Sequence, residues 1–423
     1  MKQVLIIGGG ASGLMAAITA ARNGAKVTLL EKNRQTGKKL LVTGNGRCNF
    51  TNRNQELSNY RTDRPDLVKE ALESFSVDDT VDFFESLGIL TKERNGYLYP
   101  GSGQASSIAD VLRLTAVKEG VKIACDTKAL AVKKINDRFA VETEGWTYEA
   151  DALILACGSK AAPETGSDGD GYTFAESMGH TVVDPLPALT GLCVAEKDGG
   201  KVAGVRADGA VTLQIGEEKY CESGELQFTS YGLSGIPVFQ ISRYAARALN
   251  QGIECSVTLD LCPLRKRDQV LTRLKDRRAY TQERRGAAVL LGMFPDKLCS
   301  LLLERAGISL KKQGGDWTDE DCERLAAQIK GLHFTISRCR GYEQAQICTG
   351  GVPLTELDHT TMESRRVPGL YLTGELIDVD GACGGYNLQW AWTSGYLAGR
   401  AAAQEQKGIE VYKHPKAIRY ILS

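Results

Sequence analysis

No run of apolar residues in this chain of 423 approaches the ~18 that a membrane span requires, so none is expected. Charge of one sign is also missing. The 52 Lys+Arg balance 52 Asp+Glu, and global charge therefore points to neither nucleic acid nor a membrane surface. The 12 cysteines contain no Cys-x-x-Cys pair, which argues against a redox dithiol, a paired metal site and a disulfide framework. Histidine is scarce. His180, His333, His359 and His414 are too dispersed to suggest a metal constellation, and no metal is expected. No Gly-x-Ser-x-Gly offers a hydrolase nucleophile. Only Lys2 and Gln3 precede the first expected strand, so no secretory leader is expected and the expected location is cytoplasmic.

Glycine, in contrast, is abundant, at 46 residues. Residues 4–31, VLIIGGGASGLMAAITAARNGAKVTLLE, read as strand, glycine turn, Ala-rich helix, strand and acid. Gly8 suits the tight turn, and Gly10 lets backbone approach a pyrophosphate. Gly13 lets the helix lie close on the strand. Unpaired N–H groups at the positive end of the helix then meet the phosphates. Glu31 is placed to accept hydrogen bonds from ribose hydroxyls and to repel a 2′-phosphate. The unit predicts a bound adenine dinucleotide.

Further along, 43–49 (TGNGRCN) reads as a loop pressed on something flat and polar. Helices are expected at 65–74, 77–87 and 106–119, a hairpin within 88–100, and strands at 121–124, 128–135 and 138–143. The apolar run 151–158 reads as a buried strand ending in small residues. A linker is expected at Asp184-Pro185-Leu186-Pro187. Short β-type runs then dominate to about residue 260, broken by a helix at 236–249. Residues 264–285 form a basic helix, with nine Lys/Arg against three Asp/Glu, and Val270, Leu271 and Leu274 share one face. Helices at 296–306 and 318–330 follow, and 333–337 returns to a β pattern. A strand at 369–373 and a glycine-led helix to about residue 404 close the chain. The small residues of that last helix (Ala391, Ser394, Gly395, Ala398, Gly399, Ala402) predict tight packing on a sheet.

Glycine-rich strand ends recur at 43–49, 156–158, 349–352 and 374–387, far apart in sequence. A cofactor gripped at so many points is long and stays bound, which favours FAD over NAD. At these blocks, 4–31, 37–52, 349–352 and 369–395, the chain resembles the bacterial stand-alone FAD flavoproteins variously assigned as aminoacetone oxidase or 3-dehydro-bile-acid Δ4,6-reductase. These are distant relatives of the fumarate reductases within the glutathione-reductase-like FAD fold. The resemblance implies that Gly8, Gly10, Ser12 and Gly13 hold the pyrophosphate and Glu31 the adenosine ribose, with Ala11 and Lys32 beside them also at the cofactor. It implies that Lys39, Gly44, Gly46, Arg47 and Cys48 line the ribityl and isoalloxazine region. Ala129 would meet adenine, Ala156 to Gly158 form a small turn, and Gly374, Glu375, Gly385, Asn387 and Leu388 form the closing motif. Asn45 stands where the family has glycine.

The expected fold class is α/β: a Rossmann-like FAD-binding domain, residues 1–187 and 348–423, with an inserted mixed β/helical cap at 188–347. The expected cofactors are non-covalent FAD and NAD(P)H as a transient donor, since no second strand-linked dinucleotide fingerprint follows residue 31. Donor and substrate would then take turns at one cap-covered face, in ping-pong order. The expected activity is reduction of an activated C=C bond, an enone on a bulky apolar small molecule; the resemblance supplies the enone. An FAD-dependent amine oxidase and an RNA-associated flavoprotein are the alternatives. The basic stretch reads as a solvated helix face more than an RNA face, because only Tyr280 interleaves with its cations. Cys48 reads as a packing cysteine, having no partner at close spacing. Asp378 and Asp380 read as ordering the glycine loop and bonding the ribityl hydroxyls. Tyr231, Arg338 and Arg340 are candidates for a proton donor on the cap, and no catalytic residue is assigned.

Overall fold

The computed structural model describes residues 1–404. The first strand, Gln3–Ile7, has four of its five residues buried and lies inside a seven-stranded sheet, next to its middle strand. Its neighbours are Lys26–Leu30 on one side and Ala152–Leu155 on the other, all parallel. Lys122–Ala124 and Leu370–Leu372 extend the parallel portion outwards. Glu363–Ser364 and Leu357–Asp358 finish one edge in antiparallel sense. The sheet is assembled from both ends of the chain, as the scattered glycine blocks require.

The closing helix, Tyr386–Ala403, packs on the sheet as expected, against Ala152–Leu155 and Leu370–Leu372, and its glycines also serve a closer contact, with the fingerprint helix Ala11–Arg22. A side chain at Gly399 would run into the Ala16 backbone, and one at Gly395 into that of Ser12. The two helices therefore touch backbone to backbone, directly behind the glycine turn.

The second body is a closed six-stranded barrel in the order Leu192–Val194, Gly232–Ser234, Glu218–Thr229, Arg206–Ile215, Cys255–Asp260, Leu332–Cys339. Alternation explains it: in Cys255–Asp260 the residues Cys255, Val257 and Leu259 point inwards, and in Leu332–Cys339 Leu332, Phe334 and Ile336 do so. The helices Arg267–Tyr280, Asp296–Arg305 and Asp319–Lys330 share this core, whereas the Rossmann core is a separate cluster. The helix Ile236–Asn250 packs on the barrel and reaches towards the first body.

The expected linker at 184–187 is instead part of a strand, Val183–Ala188, paired antiparallel with Ile347–Gly351. Pro185 and Pro187 each remove a backbone donor, which a two-stranded ladder tolerates because one side of each strand makes no ladder bonds. This ladder is the neck between the two bodies. Among the described residues no helix is long and apolar enough to cross a membrane.

Candidate functional site

The glycine turn lies at the carboxyl end of Gln3–Ile7 and leads into Ala11, the first residue of its helix. Gly8 has φ +106°, and a side chain there would meet the Ala156 carbonyl on the neighbouring strand. Gly13 faces the Gly8 carbonyl closely, which sets the helix against the turn. At Gly10 a Cβ would meet nothing within 4 Å. That open space, at an N-terminus with no side-chain cap, is a cradle of the kind a pyrophosphate fills.

Glu31 is 7% exposed. One carboxylate oxygen accepts the Gly9 N–H at 2.8 Å; the other accepts from the Asn33 N–H at 2.8 Å and the Asn33 side chain at 2.7 Å. Glu31 therefore ties the glycine turn to the second strand, and its remaining lone pairs are what a ribose would find. Lys32 is paired with Asp168 at 2.5 Å and Asp170 at 3.3 Å. Burial opposes its charge, but the two carboxylates outweigh burial and raise its pKa. Ala129 opens the strand Ala129–Ile135, two residues past Thr127, whose N–H bonds the Glu31 carbonyl. Gly158 takes φ +74° against Ser167.

The distant blocks converge on the same end of the sheet. The Thr373 hydroxyl donates to the Ser12 hydroxyl at 3.1 Å, across 361 positions. The Gly374 N–H donates to Ser394 at 2.9 Å. Lys39 and Glu375 form an ion pair at 2.7 Å, and Ser159 donates to the same Glu375 oxygen at 2.7 Å.

Gly44, Asn45 and Gly46 take positive φ, so the Asn at the middle of this loop adopts the left-handed backbone without glycine. Residues 44–47 are exposed. Cys48 behaves differently from its loop. Its side chain is 0% exposed in the core, and burial pushes the thiol up to about 11, so it is a protonated packing group. Asn387 is likewise turned back. Its Oδ1 accepts the Gly381 N–H at 2.7 Å and its Nδ2 donates to the Gly381 carbonyl at 2.9 Å, which closes the loop before Gly385. Leu388 packs against the Rossmann core. Near Gly385, Asn49 Oδ1 is buried without a partner, and Thr36 Oγ1 is in the same condition beside Gly9. A dinucleotide laid from the first glycine turn to the last one would lie along these orphaned atoms, and the residues present fit FAD.

Two arginines escaped the reading of the sequence. On the helix Ile236–Asn250, Arg243 is 9% exposed and grips Asp380 through Nε at 3.0 Å and Nη2 at 2.8 Å, with a further bond to Thr349 at 3.0 Å. One turn later Arg247 donates to Thr349 at 3.0 Å and lies 3.6 Å from Asp378. Asp378 accepts the Gly350 N–H at 2.9 Å, so it does order a glycine loop; burial raises its carboxyl pKa, against the pull of Arg247. Asp380 is committed to Arg243. The only signal in the sequence was two arginines four apart on a helix with no other charged residue. Of the three cap candidates, the Arg340 guanidinium lies 4.6 Å over the Tyr231 ring, and Arg338 and Tyr231 line one recess.

His180 stands between Glu356 and Ser364, at 2.7 and 2.8 Å. The line resembles a hydrolytic triad, yet the Ser364 hydroxyl is buried and accepts the N–H groups of Arg366 and Val367, so it caps a turn. Among the described residues no group of His, Cys, Asp and Glu could hold a metal, and His414 lies outside them. In the basic stretch, Lys275 and Arg278 are both engaged by Asp319, at 2.7 and 2.8 Å.

The chain is 44% identical to a 3-dehydro-bile acid Δ(4,6)-reductase of Clostridium scindens, over 96% of this chain and 100% of that one. It is 32% identical to a ribosomal RNA dihydrouridine synthase of Haemophilus influenzae, over 95% and 98%. Among solved structures, the 3-ketosteroid-Δ4-(5α)-dehydrogenase of Rhodococcus jostii RHA1 matches with a TM-score of 0.48 and 14% identity, covering 96% of this chain and 97% of the other. Residues 2–401 match the HI0933-like protein Rossmann domain, and with both relatives aligned nearly end to end, the chain belongs to the HI0933-like family.

Proposed function

We propose that this FAD-dependent oxidoreductase reduces a carbon–carbon double bond conjugated to a carbonyl, on a bulky small molecule, with NAD(P)H as the transient donor. The observation that carries the reading is the pair of relatives that align over almost the whole chain. One is named for a reductase of Δ4,6 bonds in a 3-keto acid, the other for making dihydrouridine. The two substrates differ greatly in size, yet each has a ring double bond conjugated to a carbonyl, and each product has lost one. What the family shares is then the reaction at the flavin end, and what differs lies in the cap.

When bound, FAD supplies a hydride donor that no side chain can replace. The chain's own residues do the rest. Gly8, Gly10, Ala11, Ser12 and Gly13 would hold the pyrophosphate with backbone N–H groups, and Glu31, with Lys32 beside it, the ribose. Lys39 and Glu375 would fix the ribityl region, and the loop Gly44 to Arg47 would border the ring together with Gly385. Residues 188–347 would cover that face and exclude water, held by Arg243 on Asp380. The proton for the second carbon would come from the cap, from Tyr231, Arg338 or Arg340.

The test is to reduce the purified yellow holoenzyme without oxygen and add a conjugated 3-keto steroid. Flavin absorbance should recover much faster than in buffer, with one saturated product per flavin. If enones leave it reduced while an amine reduces the oxidised enzyme, an amine oxidase takes its place. A second reading has its own support. The dihydrouridine synthase relative is matched by exposed Arg265, Lys266, Arg267 and Arg273 on the cap, with Tyr280 78% exposed beside them. Salt-sensitive RNA binding and dihydrouridine formed in unmodified ribosomal RNA would establish it.

A further inference from the structure

One hairpin of the Rossmann body carries two hydroxyls that the folded chain does not use. Tyr97–Pro100 is the middle strand of a three-stranded sheet, between Thr51–Asn52 and Thr91–Arg94. Leu98 is fully buried in the core, so alternation turns Tyr97 and Tyr99 to the opposite face, where both are half-buried. Tyr60, Tyr172, Tyr220 and Tyr342 each donate their hydroxyl to an acceptor in the chain. The hydroxyls of Tyr97 and Tyr99 have no hydrogen-bond partner among the described residues.

The two tyrosines stand between two of the converging glycine blocks. Asn52 pairs with Tyr97 in register and donates to the Gly384 carbonyl at 3.0 Å. A Cβ on Gly384 would stand 3.0 Å from the Tyr97 ring, and one on Gly385 would run into the Thr51 backbone. On the other side, the Phe50 N–H donates to the Leu98 carbonyl at 2.9 Å, which ties the strand to the end of the loop that carries Arg47. Residues 44–47 and Gly385 are the ones proposed above to border the flavin ring.

Charge on this face favours an anion. Lys92 and Arg94 are the cross-strand partners of Tyr99 and Tyr97, and Arg47 acts on the Tyr99 hydroxyl from the neighbouring loop. None of the three cations has an ion pair among the described residues. Glu93 alternates to the other face, 3.8 Å from Arg53. Burial, with the Tyr97 hydroxyl, raises the Tyr99 pKa against the pull of Arg47 and Arg94, so the group is a protonated donor at neutral pH. Residues two apart on one strand face are roughly 7 Å apart at Cα, so two long phenol side chains can converge on one oxygen.

We propose that Tyr97 and Tyr99 bind the carbonyl oxygen of the substrate and stabilise the negative charge which that oxygen gains during the reaction. This role presupposes the C=C reductase reading and supplies the carbonyl partner that it leaves unassigned. Hydride addition to the β-carbon, with both electrons coming from reduced FAD, sends the π pair of the C=C bond through the α-carbon to the carbonyl oxygen. The two O–H groups donate to the resulting enolate oxygen and keep their protons, while the nearby cations oppose its charge. The α-carbon then takes its proton from the cap and the carbonyl is restored, leaving a single bond where the C=C stood.

The experiment reads the carbonyl directly, by infrared difference spectroscopy of a carbonyl-labelled cyclic enone bound to the oxidised holoenzyme, where no turnover occurs. In the parent the carbonyl stretch should fall below its value in water. Tyr97→Phe and Tyr99→Phe should each reverse part of that shift, and the double variant all of it. With reduced enzyme, kcat for the enone should fall about 10²–10³-fold in the double variant. KM should move far less, because the bonds strengthen as charge develops. FAD content should stay at the parent value. A carbonyl stretch in the parent at or above that in water overturns the assignment, whether or not the variants fold. Unchanged kcat in both single variants and the double one overturns it too, and leaves the reductase reading intact. Loss of FAD in step with kcat overturns it in favour of a role in holding the cofactor. If the parent reduces no enone, the reductase reading itself fails and the carbonyl site falls with it.

Discussion

The two bodies of this protein are held together by different means. In the Rossmann body, positions hundreds of residues apart touch: Ser12 with Thr373, Lys39 with Glu375, and the backbones of Ala16 and Gly399. In the barrel body, one hairpin, Arg206–Ile215 with Glu218–Thr229, makes the longest ladder, and its core follows simple alternation. Where backbone meets backbone, the identity of a single residue decides the fit. Where side chains alternate, many apolar residues of similar volume serve. The first body is thus constrained by its ligand, and the second is free to diverge, except at the neck, where Arg243 and Arg247 read the first body's acids.

Breaking that joint should give the largest effect. Asp380→Ala leaves the Arg243 guanidinium buried and unpaired, at a cost of ~3–5 kcal/mol. Urea unfolding should show it, and two transitions instead of one would mean the pair couples the bodies. A loss indistinguishable from zero would mean that the bodies are held by apolar packing alone.

Next in size is Glu31→Ala. The carboxylate bonds both the Gly9 turn and Asn33, so its loss should weaken FAD by ~1.5–3 kcal/mol, read by titrating apoprotein. Barrel mutations of similar burial, such as Val257→Ala, should lower stability while leaving FAD affinity at the parent value. Equal effects of the two on FAD would erase the contrast.

Acid should act on the Rossmann body first. At its edge, burial tends to raise the Glu356 carboxyl, but Arg366, Thr181 and His180 outweigh burial and hold it down to about 2, below its ordinary 4.5. Burial lowers His180, against the pull of Glu356, from its ordinary 6.5. A depressed histidine costs stability as pH falls below about 6.5, and the Glu356 contribution is lost from 4.5 down towards 2. Both signs agree, so melting temperature should decline progressively below pH 6.5. Glu356→Gln should flatten the decline below pH 4.5, where the carboxylate contribution is lost, while the step near pH 6.5 persists because His180 then lacks the pull of Glu356; an unchanged slope below 4.5 would clear this cluster. The smallest effect belongs to Asp319→Asn. It frees Lys275 and Arg278 on an exposed face, and should leave stability unchanged within error while strengthening any RNA binding.

What could be read in advance follows the same division. The fingerprint was legible because each glycine answers a constraint within thirty residues: Gly8 makes the turn at φ +106° and Gly13 lies against the Gly8 carbonyl, as that logic requires. The hairpin at Thr91–Arg94 and Tyr97–Pro100 and most helices were legible from local pattern. Closure of the barrel was not, because short alternating runs do not state their register. Pro185 and Pro187 disguised a strand as a linker. Arg243 could not be matched with Asp380, 137 positions away, and the basic helix hid that Asp319 neutralises part of it. Cys48 was read as a packing cysteine and is one, whereas the turn of the Asn387 side chain back onto Gly381 is decided by packing that no local window contains.

The neck ladder has a consequence for how such a molecule could be rebuilt. Ala188 and Ile347 are direct partners across it, so the chain leaves for the barrel and returns from it at one strand spacing, about 5 Å apart. In chain-entropy terms, everything from residue 189 to 346 is a loop already closed. Replacing it with a two-residue turn would add no closure strain to the sheet, and one relative's cap could be exchanged for another's at that single rung. Such a graft would test whether the cap carries substrate preference, provided that the new cap supplies a cation for Asp380.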